Sequence, residues 1–184
     1  ALHSAVEGAE DDVGAGARAV EFRSVGPRDV VLGIAASGRT PFVWGALAAA
    51  RQRGAFTALL CFNPHLEFAR GHRPDLVIAI DVGSEVLTGS TRLKAGTATK
   101  LVLNLVTTLA MVRLGKVAGN LMIDLNPSNV KLRDRACRIV MELTGWPRER
   151  AEAALQRSGW QVATVVQEAR RRGGPAGRRS GASA

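Results

Sequence analysis

Three short apolar runs, spaced so that a helix fits between the first two, constrain the fold of this chain most strongly. They are DVVLGI at 29–34, TALLCF at 57–62 and LVIAIDV at 76–82. Thr40 and Pro41 begin a helical pattern that continues to about Arg53 and stops at Gly54, which fits an N-cap, a proline in the first turn and a terminating glycine. Buried strands that alternate with helix-sized connections are typical of an α/β fold with a parallel sheet.

A parallel sheet of only three strands is thin, because such sheets need both faces covered and usually contain about five or six strands. The chain also begins at Ala1 rather than at a methionine, and residues 1–9 read as the interior of a helix. A further helix is predicted over 13–22. We therefore expect the missing strands to precede Ala1.

The segment 83–100, GSEVLTGSTRLKAGTATK, combines hydroxyl groups, the cations Arg92 and Lys94, and the start of a long helix. Hydroxyls, free backbone N–H groups and cations at a helix N-terminus favour an anionic ligand. The segment therefore predicts a phosphate-bearing substrate, with an ordinary helix cap as the alternative. The helix, expected over about 91–114, is apolar nearly all round, which predicts that it lies in a core or an interface.

A second segment, AASGRT at 35–40, lies at a strand-to-helix turn, where open α/β sheets bind their ligands. Gly38 permits close approach of the backbone to a ligand, and Ser37 and Thr40 supply hydroxyls beside the helix N-terminus. The pattern is neither G-x-G-x-x-G nor a P-loop, so it does not support a nucleotide. It is interpreted as a sugar-phosphate turn, with a purely structural turn as the alternative.

The formal charge of +9 does not indicate a nucleic-acid partner, because five arginines lie in the last sixteen residues, which contain no acid. Without them the excess of positive charge is mild, and no nucleic-acid motif is recognisable. The tail at 173–184 is expected to be disordered, because it has almost no apolar area to offset ordering entropy.

The cysteines, the histidines and the apolar run at 101–112 argue against a disulfide, a metal site and a membrane span, respectively. Cys61 and Cys137 lie far apart in sequence and fit reduced core residues of a cytosolic protein. The three histidines form no ligand pattern, so no metal site is expected. The apolar run at 101–112 is shorter than a membrane span.

The character of the chain changes beyond Gly119, where short amphipathic patterns replace the buried runs. Helices are predicted over 129–144, 147–157 and 161–172, with breaks at Gly145 and Gly159. They form a small helical module at 129–172.

An acidic run, Glu7, Glu10, Asp11 and Asp12, stands just before a loop. Its ordinary interpretation is a solvated helix end. One positioned carboxylate could instead remove a proton beside a carbonyl, while a second acid protonates the leaving group. The pattern alone does not choose between these.

Five segments together resemble N-acetylmuramic acid 6-phosphate etherases, a family that also includes the animal glucokinase regulatory protein. They are AVEGAEDD at 5–12, DVVLGIAASGRTP at 29–41, CFNP at 61–64, EVLTGSTRLKAGTATKLVLN at 85–104 and GKVAGNLMIDL at 115–125. The resemblance covers nearly all of 1–172, and the segment 85–104 is highly specific to the group. It implies a sugar isomerase (SIS) α/β sandwich, whose second half is 1–125, followed by a UBA-like three-helix module at 129–172.

The resemblance implies a carbon–oxygen lyase that acts in cell-wall amino-sugar recycling. Such an enzyme cleaves the D-lactyl ether of N-acetylmuramic acid 6-phosphate to N-acetylglucosamine 6-phosphate and D-lactate, by elimination and water addition, without metal or organic cofactor. The second glutamate of the family's EGAED motif is catalytic and maps onto Glu10. The substrate-binding residues are expected to be Ser37, Gly38, Arg39, Thr40, Glu85, Ser90, Thr91 and Lys94.

The partner glutamate and the first phosphate loop of the family belong to a segment upstream of this chain, so the chain alone is expected to be inactive. The resemblance also implies a cytoplasmic homodimer with a sugar-phosphate substrate and no nucleic-acid or membrane partner. The chain departs from the family pattern at Ala118, at Val130 and at His65–Leu66.

Two other functions stay open at this point. A non-catalytic, sugar-phosphate-binding regulatory protein would use the same phosphate loops without the base. A sugar-phosphate isomerase is less supported, because the 85–104 pattern is not general to SIS proteins.

Overall fold

The structure, a computed structural model, describes residues 6–171, which fall into two compact units divided between Leu103 and Asn104. A 3-10 helix at Ala9–Asp11 precedes the longer elements. These are α1 Val13–Phe22, β1 Val30–Ile34, α2 Pro41–Gln52, β2 Phe56–Cys61, β3 Leu76–Ala79, α3 Lys94–Arg113, β4 Val117–Ala118, β5 Leu121–Met122, α4 Val130–Thr144, α5 Arg148–Arg157 and α6 Val162–Arg171. The chain is a mixed α/β protein, as its sequence predicts.

The three strands of the first unit form a parallel sheet in the order β1-β2-β3. Val31 aligns with Thr57 between β1 and β2, and Leu59 aligns with Val77 between β2 and β3. The central strand β2 is buried from Thr57 to Cys61. The predicted strands are confirmed as parallel neighbours, and their ends lie within three residues of the predicted bounds.

Helices α1 and α2 cross where each carries a glycine. A Cβ atom on Gly16 would lie 1.9 Å from the carbonyl oxygen of Phe42, and one on Gly45 would lie 2.0 Å from that of Val13. These contacts are with backbone, which cannot move aside as the tip of a side chain can. The two glycines therefore let α1 pack directly on α2, which in turn covers one sheet face around Leu59.

Helix α3 departs from the sequence prediction. Ala95 is its one buried residue, and Leu101, Leu105 and Leu109 are each more than half exposed. The expectation that this helix lies in a core is wrong for the described residues, because no other described element packs extensively against its apolar surface. Its location in an interface stays a prediction.

The length of α3 also corrects an expectation. The helix is long and apolar enough to cross a membrane, so the inference that its apolar run is too short does not hold. A single helix of this kind does not identify a membrane protein, because core helices of other proteins have the same length and composition.

The second unit is built from a β-hairpin and three helices that share one core. Strands β4 and β5 pair antiparallel, and glycines at positive φ end α4 (Gly145) and precede α6 (Gly159). The three predicted helices are confirmed to within one residue at each end. The core consists of Ala118, Ile123, Ala136, Cys137, Ile139, Val140, Ala151, Ala154, Leu155, Val162, Val165 and Val166.

Both cysteines are free and buried, as predicted, and burial raises the pKa of the Cys137 thiol. Of the helix predicted over 1–9, residues 1–5 lie outside the described residues, and residues 6–8 are not helical. The predicted disordered tail at 173–184 lies outside them entirely.

We predict that Gly16→Ala and Gly45→Ala each lower the free energy of unfolding by ~1–3 kcal/mol, because the new Cβ meets backbone and forces the helices apart. The measurement is urea unfolding of the 184-residue chain followed by circular dichroism. Gly96→Ala is the matched control, since its Cβ would meet only the carbonyl oxygen of Thr91 at 3.7 Å.

The control should leave stability unchanged or raise it by up to ~1 kcal/mol, because alanine is the better helix former. Equal stability of all three variants would contradict the close helix crossing.

Candidate functional site

Each hydroxyl-rich segment follows the carboxyl end of a strand of the parallel sheet. Strand β1 ends at Ile34 directly before the turn 35–40, and β3 ends at Ala79 before the segment 83–94. Because β2 lies between them, the two segments leave the sheet about two strand spacings apart, or about 10 Å. Ligands of open α/β sheets bind at this edge.

The turn 35–40 is held by Gly38, which adopts a left-handed conformation with φ of 74°. Its N–H donates to the carbonyl of Ala35 at 2.9 Å, and its own carbonyl accepts the indole Nε1–H of Trp44 at 2.9 Å. A Cβ atom on Gly38 would lie 2.5 Å from a methyl group of Leu66. The position therefore favours glycine for two reasons, backbone conformation and the contact with Leu66.

The hydroxyl groups of this turn are available to a ligand. Ser37 Oγ accepts the backbone N–H of Arg39 at 3.2 Å, which leaves its own O–H free to donate. Thr40 is the N-cap residue of α2, but its side chain makes no capping hydrogen bond. Ser37 and Arg39 are exposed and Thr40 is half-buried.

Glu85 binds the N-terminus of α3. Its carboxylate accepts the backbone N–H of Lys94 at 2.8 Å and that of Ala95 at 3.0 Å. These two hydrogen bonds hold the pKa of the Glu85 carboxyl below its usual value, and the bond from Ala95 has the larger effect. Backbone donors that the sequence predicts for an anionic ligand are therefore occupied by a side chain of the protein.

The other candidates in this segment lie on its surface. Lys94 Nζ donates to the carbonyl of Ser84 at 2.7 Å, which uses one of the three donors of the ammonium group. Thr91 and Lys94 are exposed, and Ser90 is half-buried. The segment thus carries two hydroxyls and a cation in the connection that leaves the carboxyl end of β3.

Among the described residues, Glu10 forms no hydrogen bond or ion pair with either segment. It belongs to the 3-10 helix, which packs against α2, and its side chain is exposed. Within residues 6–171, no hydrogen bond or ion pair joins Glu10 to Ser37 or to Lys94. The predicted phosphate-binding residues therefore follow the carboxyl ends of two strands of one sheet, and no hydrogen bond joins the predicted base to them over the described part of the chain.

A cavity of about 820 Å³ adjoins the turn, between α2 and the connection from β2 to β3. Of the predicted site residues, Gly38 and Arg39 line it. Its apolar wall includes Trp44, Leu66 and Phe68, and the two aromatic rings meet edge to face at 6.1 Å. Over residues 6–171, no group of three His, Cys, Asp or Glu side chains could hold a metal ion.

Sequence reasoning missed two residues that hold the turn, Trp44 and Leu66. A partly buried tryptophan needs an acceptor for its indole N–H, so Trp44 could have been assigned a partner near the start of α2. Leu66 could be found only as a departure from the family pattern, without any indication that it contacts Gly38.

We predict that Gly38→Ala lowers the free energy of unfolding by about 1–2 kcal/mol more than Gly71→Ala, because overpacking adds to the backbone strain. Both glycines have positive φ, at 74° and 79°, but a Cβ on Gly71 would meet nothing within 4 Å. Urea unfolding of both variants measures the difference.

The double variant Gly38→Ala, Leu66→Ala tests the cause, since contacting residues are not additive. In the Leu66→Ala background, Gly38→Ala should lower the free energy of unfolding by less than it does in the unaltered chain. If Gly38→Ala lowers the free energy of unfolding equally in both backgrounds, Leu66 does not restrict the turn.

Comparison with known proteins supports the family resemblance in both units. The family model of the C-terminal lid domain of glucokinase regulatory protein matches residues 119–173. A protein of Serratia proteamaculans (strain 568) named N-acetylmuramic acid 6-phosphate etherase is 54% identical over 166 residues, which are 90% of this chain and 55% of that protein.

Proteins with the same name from Cutibacterium acnes (strain DSM 16379 / KPA171202) and Yersinia pestis (strain Pestoides F) are 52% and 51% identical, again over 90% of this chain. The matched residues make up 54% and 56% of the length of those two proteins. The chain thus spans about half the length of the curated relatives it matches. The resemblance is confirmed: over the matched residues, this chain is a homologue of N-acetylmuramic acid 6-phosphate etherases.

Proposed function

We propose that this chain supplies part of a carbon–oxygen lyase that cleaves the D-lactyl ether of N-acetylmuramic acid 6-phosphate. The observation that carries the proposal is the identity of 51–54% to proteins named for that activity, over 90% of the chain. The products are N-acetylglucosamine 6-phosphate and D-lactate, and the role is amino-sugar recycling.

The chemistry requires one base and one acid. In the open-chain sugar the C2 proton is acidic because it lies beside the C1 aldehyde. Glu10 removes this proton, a second acid protonates the departing lactate oxygen at C3, and water then adds to the resulting double bond. Glu10 is the only catalytic group that maps onto this chain, so the chain alone is expected to release no D-lactate.

The phosphate-binding role falls to the carboxyl edge of the sheet. Ser37, Gly38, Arg39 and Thr40 supply hydroxyl, backbone and guanidinium donors after β1. Ser90, Thr91 and Lys94 supply two hydroxyls and an ammonium group after β3, and Glu85 belongs to the same segment. Support for this role comes from the free donors of Ser37 and Lys94, because hydrogen bonds to a charged phosphate are stronger than neutral ones.

The finer organisation is also proposed. Residues 1–125 form an SIS sugar-phosphate domain that is partial in this chain, 129–172 a UBA-like module, and 173–184 a disordered tail. The protein is a cytoplasmic homodimer that has neither nucleic acid nor a membrane as partner. The exposed apolar surface of α3 is consistent with an interface, because large exposed apolar surfaces mark interaction sites.

A non-catalytic sugar-phosphate-binding regulator is the second candidate. It is favoured by the match of residues 119–173 to the lid domain of glucokinase regulatory protein. Such a protein would bind the sugar phosphate through the same two segments without any need for Glu10, so the substitution of Glu10 separates the two functions.

In a full-length version, Glu10→Gln should lower turnover ~10²–10⁴-fold, the usual contribution of a general base. Substrate binding should be largely retained, because the amide keeps the shape of the carboxylate and loses only its basicity. The measurement is D-lactate release, with Glu21→Gln, an exposed residue of α1, as the control. Normal turnover of Glu10→Gln would show that the assignment is wrong, and Glu7 would be tested next.

Ser37→Ala and Lys94→Ala should each weaken binding of the 6-phosphate by ~1.5–3 kcal/mol, because each removes a hydrogen bond to a charged group. Calorimetric titration of the full-length version with N-acetylglucosamine 6-phosphate measures the effect. Ser128→Ala and Lys131→Ala, both exposed in the second unit, are the matched controls. Equal losses in the controls would mean that the two segments do not bind the phosphate.

A further inference from the structure

The segment between β3 and α3 has no regular structure of its own. Gly83 and Gly89 adopt positive φ angles of 65° and 80°. Its internal hydrogen bonds span only a few residues, such as that from the N–H of Ser90 to the carbonyl of Leu87 at 2.9 Å. Such short-range turns do not by themselves fix where the whole segment lies relative to the helix that follows it.

A reciprocal clasp joins the two ends of this segment. From one end, the Glu85 carboxylate accepts the N–H groups of Lys94 and Ala95. From the other, the Lys94 ammonium donates to the carbonyl of Ser84. We call this arrangement the 85–95 clasp; it closes residues 86–93 into a loop that carries Ser90 and Thr91.

A carboxylate is well suited to this position. The first N–H groups of a helix lack intrahelical partners, and the helix dipole favours a negative charge there. Glu85 satisfies two of those N–H groups at once, and it donates no hydrogen bond to a ligand while ionised. The hydrogen bonds from Ala95 and Lys94 lower its pKa, so the carboxylate is ionised at neutral pH.

The clasp changes what Glu85 can do for a phosphate. Two anions cannot share the same two backbone donors, and like charges repel at short range. The α3 N-terminus is therefore not available to a phosphate group while Glu85 is bound there. The groups of this segment that remain free to contact an anion are the side chains that the clasp holds in place.

We infer that Glu85 is a positioning residue rather than a substrate ligand: it fixes the loop 86–93 so that Ser90, Thr91 and Lys94 face the sugar phosphate. The inference rests on the proposed function for the identity of the ligand. The clasp itself does not depend on the proposed function, and it can be tested without any ligand.

The test compares Glu85→Ala with Glu85→Gln in the same full-length version that is used for the titrations above. The amide hydrogen exchange rates of Lys94 and Ala95 show whether the clasp is formed. Titration with N-acetylglucosamine 6-phosphate measures the affinity of the loop for the ligand. In Glu85→Ala we expect exchange of both amides to accelerate at least about tenfold and affinity to fall by about tenfold, because both charge-assisted hydrogen bonds are lost. Glu85→Gln keeps one acceptor and should recover part of both.

Two controls separate this role from general destabilisation. Leu105→Gly weakens α3 at an exposed position outside the clasp, and Glu21→Gln makes the same chemical change on α1. Both should keep the affinity of the unaltered chain at a temperature where every variant is folded.

Four results would overturn an assignment. Unchanged exchange of Lys94 and Ala95 in Glu85→Ala would overturn the clasp. Faster exchange with unchanged affinity, or an equal loss of affinity in Leu105→Gly, would overturn the positioning role. If the unaltered full-length version bound no N-acetylglucosamine 6-phosphate, the proposed function would fail, and the exchange rates alone would decide the clasp.

Discussion

The parallel pairing of β2 with both of its neighbours determines where the polar segments of this chain lie. Because all three strands run the same way, every connection that leaves a strand begins at one edge, and every connection that enters a strand returns at the other. The opposite edge is closed by a reciprocal pair: Asp75 accepts the N–H and the hydroxyl of Thr57 at 2.8 and 2.7 Å, and the Asp75 N–H donates back to the Thr57 hydroxyl. These bonds lower the pKa of Asp75 and fix the start of β2 against β3.

From that sheet, a chain of contacts reaches the turn 35–40. Glycines in both helices let α1 pack on α2, and α2 covers the sheet and donates the indole N–H of Trp44 to Gly38. The connection after β2 adds a second restraint, since the Phe62 N–H donates to the carbonyl of Ala36 and Leu66 packs on Gly38. The turn is therefore held from both sides before any ligand binds, which reduces the ordering cost of binding.

Much of this fold could be predicted from sequence because its signals are local. The apolar strands, helix α1, and the breaks at Gly145 and Gly159 depend on residues close together in the chain. The burial of α3 was predicted wrongly, because an apolar surface shows that a partner is needed but not whether this chain contains it. Strands β4 and β5 have two residues each, too short for a periodic signal.

The sequence predicts candidate site residues by type and position, but it does not predict the contacts among them. The sequence indicated that Ser37 follows the first predicted strand and that Lys94 lies in the connection after the third. It could not indicate that Glu85 reaches Lys94 and Ala95, nor that Leu66 meets Gly38, because such contacts depend on how loops fold back in three dimensions.

In the proposed function, a sugar phosphate binds at the carboxyl edge of the sheet, between the segments after β1 and β3. The most direct measurement is a map of backbone amide shifts in the isotopically labelled full-length version during addition of N-acetylglucosamine 6-phosphate. Binding at this edge should produce saturable shifts at 37–40 and 90–94, with little change at Thr57 and Asp75 on the opposite edge. Shifts confined to that opposite edge, or to the helices α4 to α6, would contradict it.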